Sequence, residues 1–151
     1  MTGPVVVEAD GGARGNPGPA GWGAVVRDPA SGEVLAERSE AIGRATNNVA
    51  EYGGLIGGLE AAAELGATAV EVRMDSKLVI EQMAGRWQIR HPGLRPLAAR
   101  AAALVRQFDS VTWTWVPRSR NVHADRLANQ AMDRAAGTST GAASPGSVSP
   151  E

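Results

Sequence analysis

Pro4-Val5-Val6-Val7-Glu8-Ala9-Asp10-Gly11-Gly12 is a short apolar run of β-branched residues that ends on an acid and two glycines. It reads as a buried strand over 4–10. A turn-rich segment over 11–19 follows, Gly11-Gly12-Ala13-Arg14-Gly15-Asn16-Pro17-Gly18-Pro19. Strands over 21–27 and 33–42 then form an antiparallel pair, split by the turn signal Asp28-Pro29-Ala30-Ser31-Gly32. Beyond this hairpin the pattern changes. Asn47 or Asn48 is expected to cap a helix running to about Leu65, and Gly66 ends it. A β-rich run over 68–74 is the fourth strand, and 76–84 is a short helix capped by Asp75 or Ser76. The pattern predicts a further helix over 92–107 with Pro in its first turn, a fifth strand over 111–116 and a last helix over 121–136. Strand-helix-strand alternation in the second half favours a mixed sheet with helices on its faces.

A chain of 151 residues, 43% hydrophobic, fits one domain with a real core. It has no cysteine, which excludes disulfides and thiolate metal sites. The N-terminus lacks a signal-peptide layout, and no apolar run approaches the roughly 18 residues of a membrane span. A soluble, cytoplasmic protein with no membrane partner is expected, and a monomer is the default at this size. The net charge of −1 offers no global attraction for nucleic acid. Locally, however, Arg86, Arg90, Arg95, Arg100 and Arg106, with His91, occupy 86–106 without a single acid. Such a stretch suits phosphate-backbone contacts, or else it is a solvated helix face. From Gly137 onward the residues are Thr, Ser, Gly, Ala and Pro without periodicity, apart from Val148 and the closing Glu151. The reading is therefore a domain over 1–136 and a disordered tail or interdomain linker over 137–151.

Four acids fit their surroundings poorly. Asp10 and Asp75 each end an apolar strand, where a carboxylate is usually a turn or cap residue. Glu51 shares a helical stripe with Leu55, Leu59 and Ala62, and an acid aligned with a buried stripe is costly unless paired or bound to a cation. Asp125 lies in the opening turn of the last helix, where it complements the helix dipole. Each placement has an ordinary explanation, but the four together do not. If Asp10 and Asp75 end adjacent parallel strands, they meet where open α/β sheets bind ligands. Glu51 and Asp125 then reach the same crevice. Clustered carboxylates need cations, and oxygen-only ligation suits Mg²⁺ or Mn²⁺ rather than Zn²⁺.

The motifs resemble those of the type I ribonuclease H family. Asp10-Gly11-Gly12, with Gly15-Asn16-Pro17-Gly18 and Gly21-Trp22-Gly23, resembles that family's first hairpin. Thr46-Asn47-Asn48-Val49-Ala50-Glu51 resembles its Thr-Asn-Asn-x-x-Glu, and Asp75-Ser76 its Asp-Ser after the fourth strand. Arg120-Asn121-Val122-His123-Ala124-Asp125-Arg126-Leu127-Ala128 is similar to its last motif. One Asp-Gly-Gly is a weak signal; four collinear motifs carrying all four acids are a strong one. The resemblance covers about residues 4–136. It implies the α/β RNase H-like fold, a five-stranded mixed sheet of order 3-2-1-4-5 flanked by helices. It further implies an endonuclease that cuts the RNA strand of RNA/DNA hybrids with two Mg²⁺ ions (Mn²⁺ as substitute), leaving 5′-phosphate and 3′-hydroxyl ends. Asp10, Glu51, Asp75 and Asp125 would be the metal-holding catalytic acids, with Glu51 also approaching a ribose 2′-hydroxyl. Asn16, Asn47 and Asn48 would contact the hybrid minor groove, and Thr46 the DNA backbone.

Three departures from the family pattern bear on substrate contacts. The segment Gly85-Arg86-Trp87-Gln88-Ile89-Arg90-His91-Pro92 is short, as in compact forms lacking the lysine-rich protrusion, so hybrid binding leans on Arg86, Trp87 and Arg90. Lys77 stands where glutamine is common, exchanging a groove contact for a phosphate contact. Pro117-Arg118-Ser119-Arg120 is too short for a histidine-bearing loop, which leaves Arg118, then His123, for proton shuttling or product release. Trp22, Trp113 and Trp115 are expected in the core. Rival expectations are cleavage of duplex RNA as well, a catalytically weak hybrid-binding module, or one lobe of a sugar-kinase-like protein. Family resemblance also suggests a C-terminal histidine-phosphatase-type domain in the natural protein.

Overall fold

The computed structural model describes residues 3–140. Five strands form one sheet: β1 (Pro4–Ala13), β2 (Gly18–Arg27), β3 (Val34–Ala45), β4 (Ala69–Met74) and β5 (Ser110–Trp115). Four α-helices accompany them: α1 (Asn47–Glu64), α2 (Lys77–Met83), α3 (Arg95–Val105) and α4 (Val122–Thr140), with a 3-10 turn at Arg118–Arg120. The strand order is β3-β2-β1-β4-β5, as expected. β1 pairs antiparallel with β2 and parallel with β4, and β4 pairs parallel with β5. β1 is thus the strand from which the chain winds outward in both directions. No helix among the described residues is long and apolar enough to cross a membrane.

Alternation along β1 and β2 feeds two cores. Val5, Val7, Ala9, Trp22 and Ala24 pack with Tyr52, Leu55 and Leu59 of α1 in the larger one. On the other face α4 lies over β2, and its buried Ala124, Leu127, Ala128 and Ala131 cover that side. Glycine permits this close approach: a Cβ on Gly23 would lie 2.5 Å from Leu127 Cβ and 2.8 Å from the Ala124 carbonyl oxygen.

Several boundaries differ from expectation. The Gly11–Pro19 turn shrinks to four residues, because β1 continues to Ala13 and β2 starts at Gly18. Gly11 and Gly12 are strand residues. A side chain at Gly11 would collide with the Ala50 carbonyl and sit 2.7 Å from the Glu51 nitrogen, so glycine here lets α1 start against the sheet. Thr46, not Asn47 or Asn48, caps α1, its hydroxyl accepting from the Val49 amide at 3.3 Å. α3 begins at Arg95, with Pro96 in the first turn, rather than at Pro92. α4 runs on to Thr140; the remainder of the tail reading, 141–151, lies outside the described residues. Trp22 is buried, and Trp113 packs against the core, but Trp115 is 48% exposed. It shares the inward face of β5, yet it stands at the strand end beyond the covering helices, its indole N–H donating to the Asp75 carbonyl at 3.2 Å.

Candidate active site

The register Ala9↔Met74 brings Asp10 and Asp75 out together at the carboxyl ends of the two central parallel strands. α1 and α4 start beside the same edge and bring Glu51 and Asp125. All four acids line one pocket of ≈ 390 Å³, with Arg14, Asn47, Arg118, Asn129 and the backbone of Gly11 to Ala13 around them. The convergence expected from the pattern is therefore present.

Local structure leaves these acids free for other work. Ser76 caps α2, its hydroxyl accepting from the Val79 amide at 3.3 Å, so Asp75 is released from the capping role that was its ordinary explanation. The same hydroxyl donates to Glu51 Oε1 at 3.0 Å and fixes that side chain. The stripe neighbours of Glu51, namely Leu55, Leu59 and Ala62, are fully buried. Glu51 is thus the half-buried end of a core stripe, facing the pocket.

Electrostatics mark the cluster. Burial, then the negative charge of Asp75 and a hydrogen bond with Asp125, pushes Asp10 up to about 8. Burial pushes Glu51 up to about 7, the Ser76 hydroxyl working against the shift and the charge of Asp75 adding to it. The protein alone does not balance this charge. Arg118 offers the nearest relief, its guanidinium donating to Asp125 Oδ1 at 3.4 Å while remaining largely in solvent. Among the described residues no three of the His, Cys, Asp and Glu side chains close into a finished metal cage. The donor set fits hard divalent cations that keep water or substrate oxygens in part of their shell.

The expected substrate contacts are distributed around the pocket. Asn47 lines it, its Oδ1 accepting from the Ala13 amide at 2.8 Å, while Asn16 Oδ1 accepts from the Asn47 amide at 3.0 Å. Both carboxamides spend their oxygens on backbone, which orients their NH₂ groups. Asn48 is exposed, and Thr46 is the cap already described. Lys77 opens α2, with Nζ 5.9 Å from the Trp115 ring centroid. Arg86 and Trp87 stand on the turn that closes α2: Arg86 Nε donates to Glu81 at 2.6 Å, and Trp87 is 45% exposed. Both lie outside the pocket.

His123 is not brought to the acids. Its ring is held between Arg27 Nη2, 2.7 Å from Nδ1, and the Glu37 carboxylate on Nε2. Three residues of the site went unassigned in the sequence. Arg14 and Asn129 line the pocket, and Arg14 reaches across to Asp133 and Asn129. Asn121 lies beneath the pocket and is 1% exposed. Its position inside the last motif, four residues before Asp125, was the available signal for it.

A family model described as reverse transcriptase-like matches residues 8–131. A bifunctional protein of Mycobacterium tuberculosis is 60% identical over 144 residues, covering 95% of this chain and 40% of that protein. The chain thus spans about 40% of the length of the mycobacterial relatives it matches. The solved N-terminal RNase H domain of that M. tuberculosis protein, determined as a fusion with maltose binding protein, is 62% identical with a TM-score of 0.88, covering 90% of this chain and 98% of that one. LC11-RNase H1, solved in complex with an RNA/DNA hybrid, is 42% identical with a TM-score of 0.82, covering 87% of this chain and 99% of that one.

Proposed function

The chain belongs to the ribonuclease H branch of the reverse transcriptase-like family, and on that premise we propose that it hydrolyses the RNA strand of RNA/DNA hybrids in a divalent-cation-dependent reaction. The observation that carries the reading is the pocket of four carboxylates whose charge the fold does not neutralise. The structure of LC11-RNase H1 with a hybrid supports the substrate class.

Asp10, Glu51, Asp75 and Asp125 would hold two Mg²⁺ ions, with Mn²⁺ as substitute. When bound, these supply the charge that activates a water and stabilises the leaving 3′-oxygen. Asp10 faces both Asp75 and Asp125 and would help hold both ions. Glu51, steadied by Ser76, sits at the α1 edge, where a ribose 2′-hydroxyl distinguishes RNA from DNA. Asn16, Asn47 and Asn48 present amide donors to the minor groove, and Thr46 meets the DNA backbone. Lys77, Arg86 and Trp87 extend the contact away from the pocket. Arg118, beside Asp125, helps the product anion leave. The products carry 5′-phosphate and 3′-hydroxyl ends. The protein acts in the cytoplasm as a monomer. A histidine-phosphatase-type domain on the same polypeptide belongs to this reading, supported by the bifunctional relative of which this chain matches 40%.

The test is a cleavage assay with labelled hybrid, duplex RNA, duplex DNA and single strands in Mg²⁺. Cutting confined to the RNA of the hybrid is the expected result. Cutting of duplex RNA as well would broaden the substrate class. Hybrid binding with no cleavage in Mg²⁺ or Mn²⁺ would replace the enzyme by a binding module.

A further inference from the structure

Asn121 is the residue between the 3-10 turn and α4, the position where a helix usually takes a side-chain cap. It does not act as one. Its Oδ1 is buried and has no hydrogen-bond partner among the described residues. Its Nδ2 donates instead to the Ala9 carbonyl at 2.9 Å and to Asp75 Oδ1 at 3.2 Å. The Ala9 carbonyl can only accept, so the amide orientation is fixed: a flip would set two oxygens face to face. The main chain of the same residue accepts from the Asp125 amide at 3.0 Å. One buried asparagine therefore touches the residue before Asp10, the carboxylate of Asp75 and the backbone of Asp125.

We infer that Asn121 is a positioning residue for the cation site, holding Asp75 by one oxygen so that the other stays aimed into the pocket. Carboxylates crowded together swing apart to relieve repulsion, and a neutral donor anchored on β1 opposes that movement without adding charge. The orphaned Oδ1 is the cost: both N–H groups face acceptors that matter more than satisfying the oxygen. The inference rests on the four acids being cation ligands, and its test separates the two ideas.

Mn²⁺ binding to the free protein, followed by electron paramagnetic resonance of the unbound ion, is the direct readout. Asn121→Ala is expected to weaken Mn²⁺ about tenfold, as loss of an oriented partner of a metal ligand does. In Mg²⁺ it lowers kcat with KM for the hybrid unchanged, since Asn121 does not reach substrate, and raised Mg²⁺ restores part of the rate. If the alanine variant unfolds, Asn121→Ser is measured in its place. A single O–H cannot serve two acceptors, so a loss of about threefold or more in the same direction is expected. A folded variant that binds Mn²⁺ as the parent does overturns the inference while leaving the site intact. A parent protein that binds no Mn²⁺ overturns the reading of the acids themselves.

Discussion

Burial beside Asp75 and Asp125 makes Asp10 hold its proton to about pH 8, against an ordinary value of 3.8, and Glu51 holds its proton to about 7 against 4.5. Between those limits the folded, cation-free chain binds more protons than the unfolded chain. Its stability therefore falls as pH rises from about 4 to about 8. Melting temperatures across that range should show the decline, and Asp10→Asn should flatten it and melt higher than the parent at pH 8. The same substitution should reduce hybrid cleavage about a thousandfold, because it withdraws several kcal/mol of charge stabilisation from the reacting phosphate. A variant that is folded and fully active would end the proposed role of Asp10.

At the scale of elements, placement of Glu51 depends on where α1 starts. Thr46 caps that helix and Gly11 lets it approach the sheet. Thr46→Ala should cost about 1 kcal/mol in denaturant unfolding, the usual loss for a cap. Gly11→Ala should be worse, about 2 kcal/mol or more, because the new methyl meets backbone that cannot yield without moving the helix. Since that movement carries Glu51 with it, kcat should fall further than unfolding data alone explain. Parent-like kcat in folded Gly11→Ala would show that the start of α1 does not set the geometry of the acids.

For the molecule as a whole, no net field attracts nucleic acid, so affinity must come from local contacts. Part of the expected basic stretch is already engaged within the fold: Arg86 pairs with Glu81, and Arg100 with Glu60 at 2.7 Å. The stretch is thus less available than its composition suggested. Lys77→Ala is expected to raise KM for the hybrid with little change in kcat. It should also reduce the salt slope of binding by about one, which binding titrations at several ionic strengths would check. An unchanged slope would remove Lys77 from the phosphate contacts. Adding Mg²⁺ to the chelated protein at pH 8 should raise its melting temperature, because a ligand that binds only the folded state stabilises it.

How much of this was legible in advance varies by feature. Local order and hydrophobic period decided the strands, the helices and which acids were out of place, because pairing and burial follow side-chain periodicity. Asp10, Glu51, Asp75 and Asp125 could be named, yet their convergence depended on β1 and β4 being parallel neighbours in one register. The reach of β1 to Ala13 was hidden because glycine reads as a turn until a helix is found lying on it. The exposure of Trp115 and the engagement of His123 with Arg27 and Glu37 were hidden likewise. Asn121 could be read as a cap until Ala9 and Asp75 were seen to take its amide. The sequence alone determined which four acids are proposed to carry the chemistry. Only the tertiary structure decided what each faces, because contacts across a sheet join residues that sequence spacing keeps far apart.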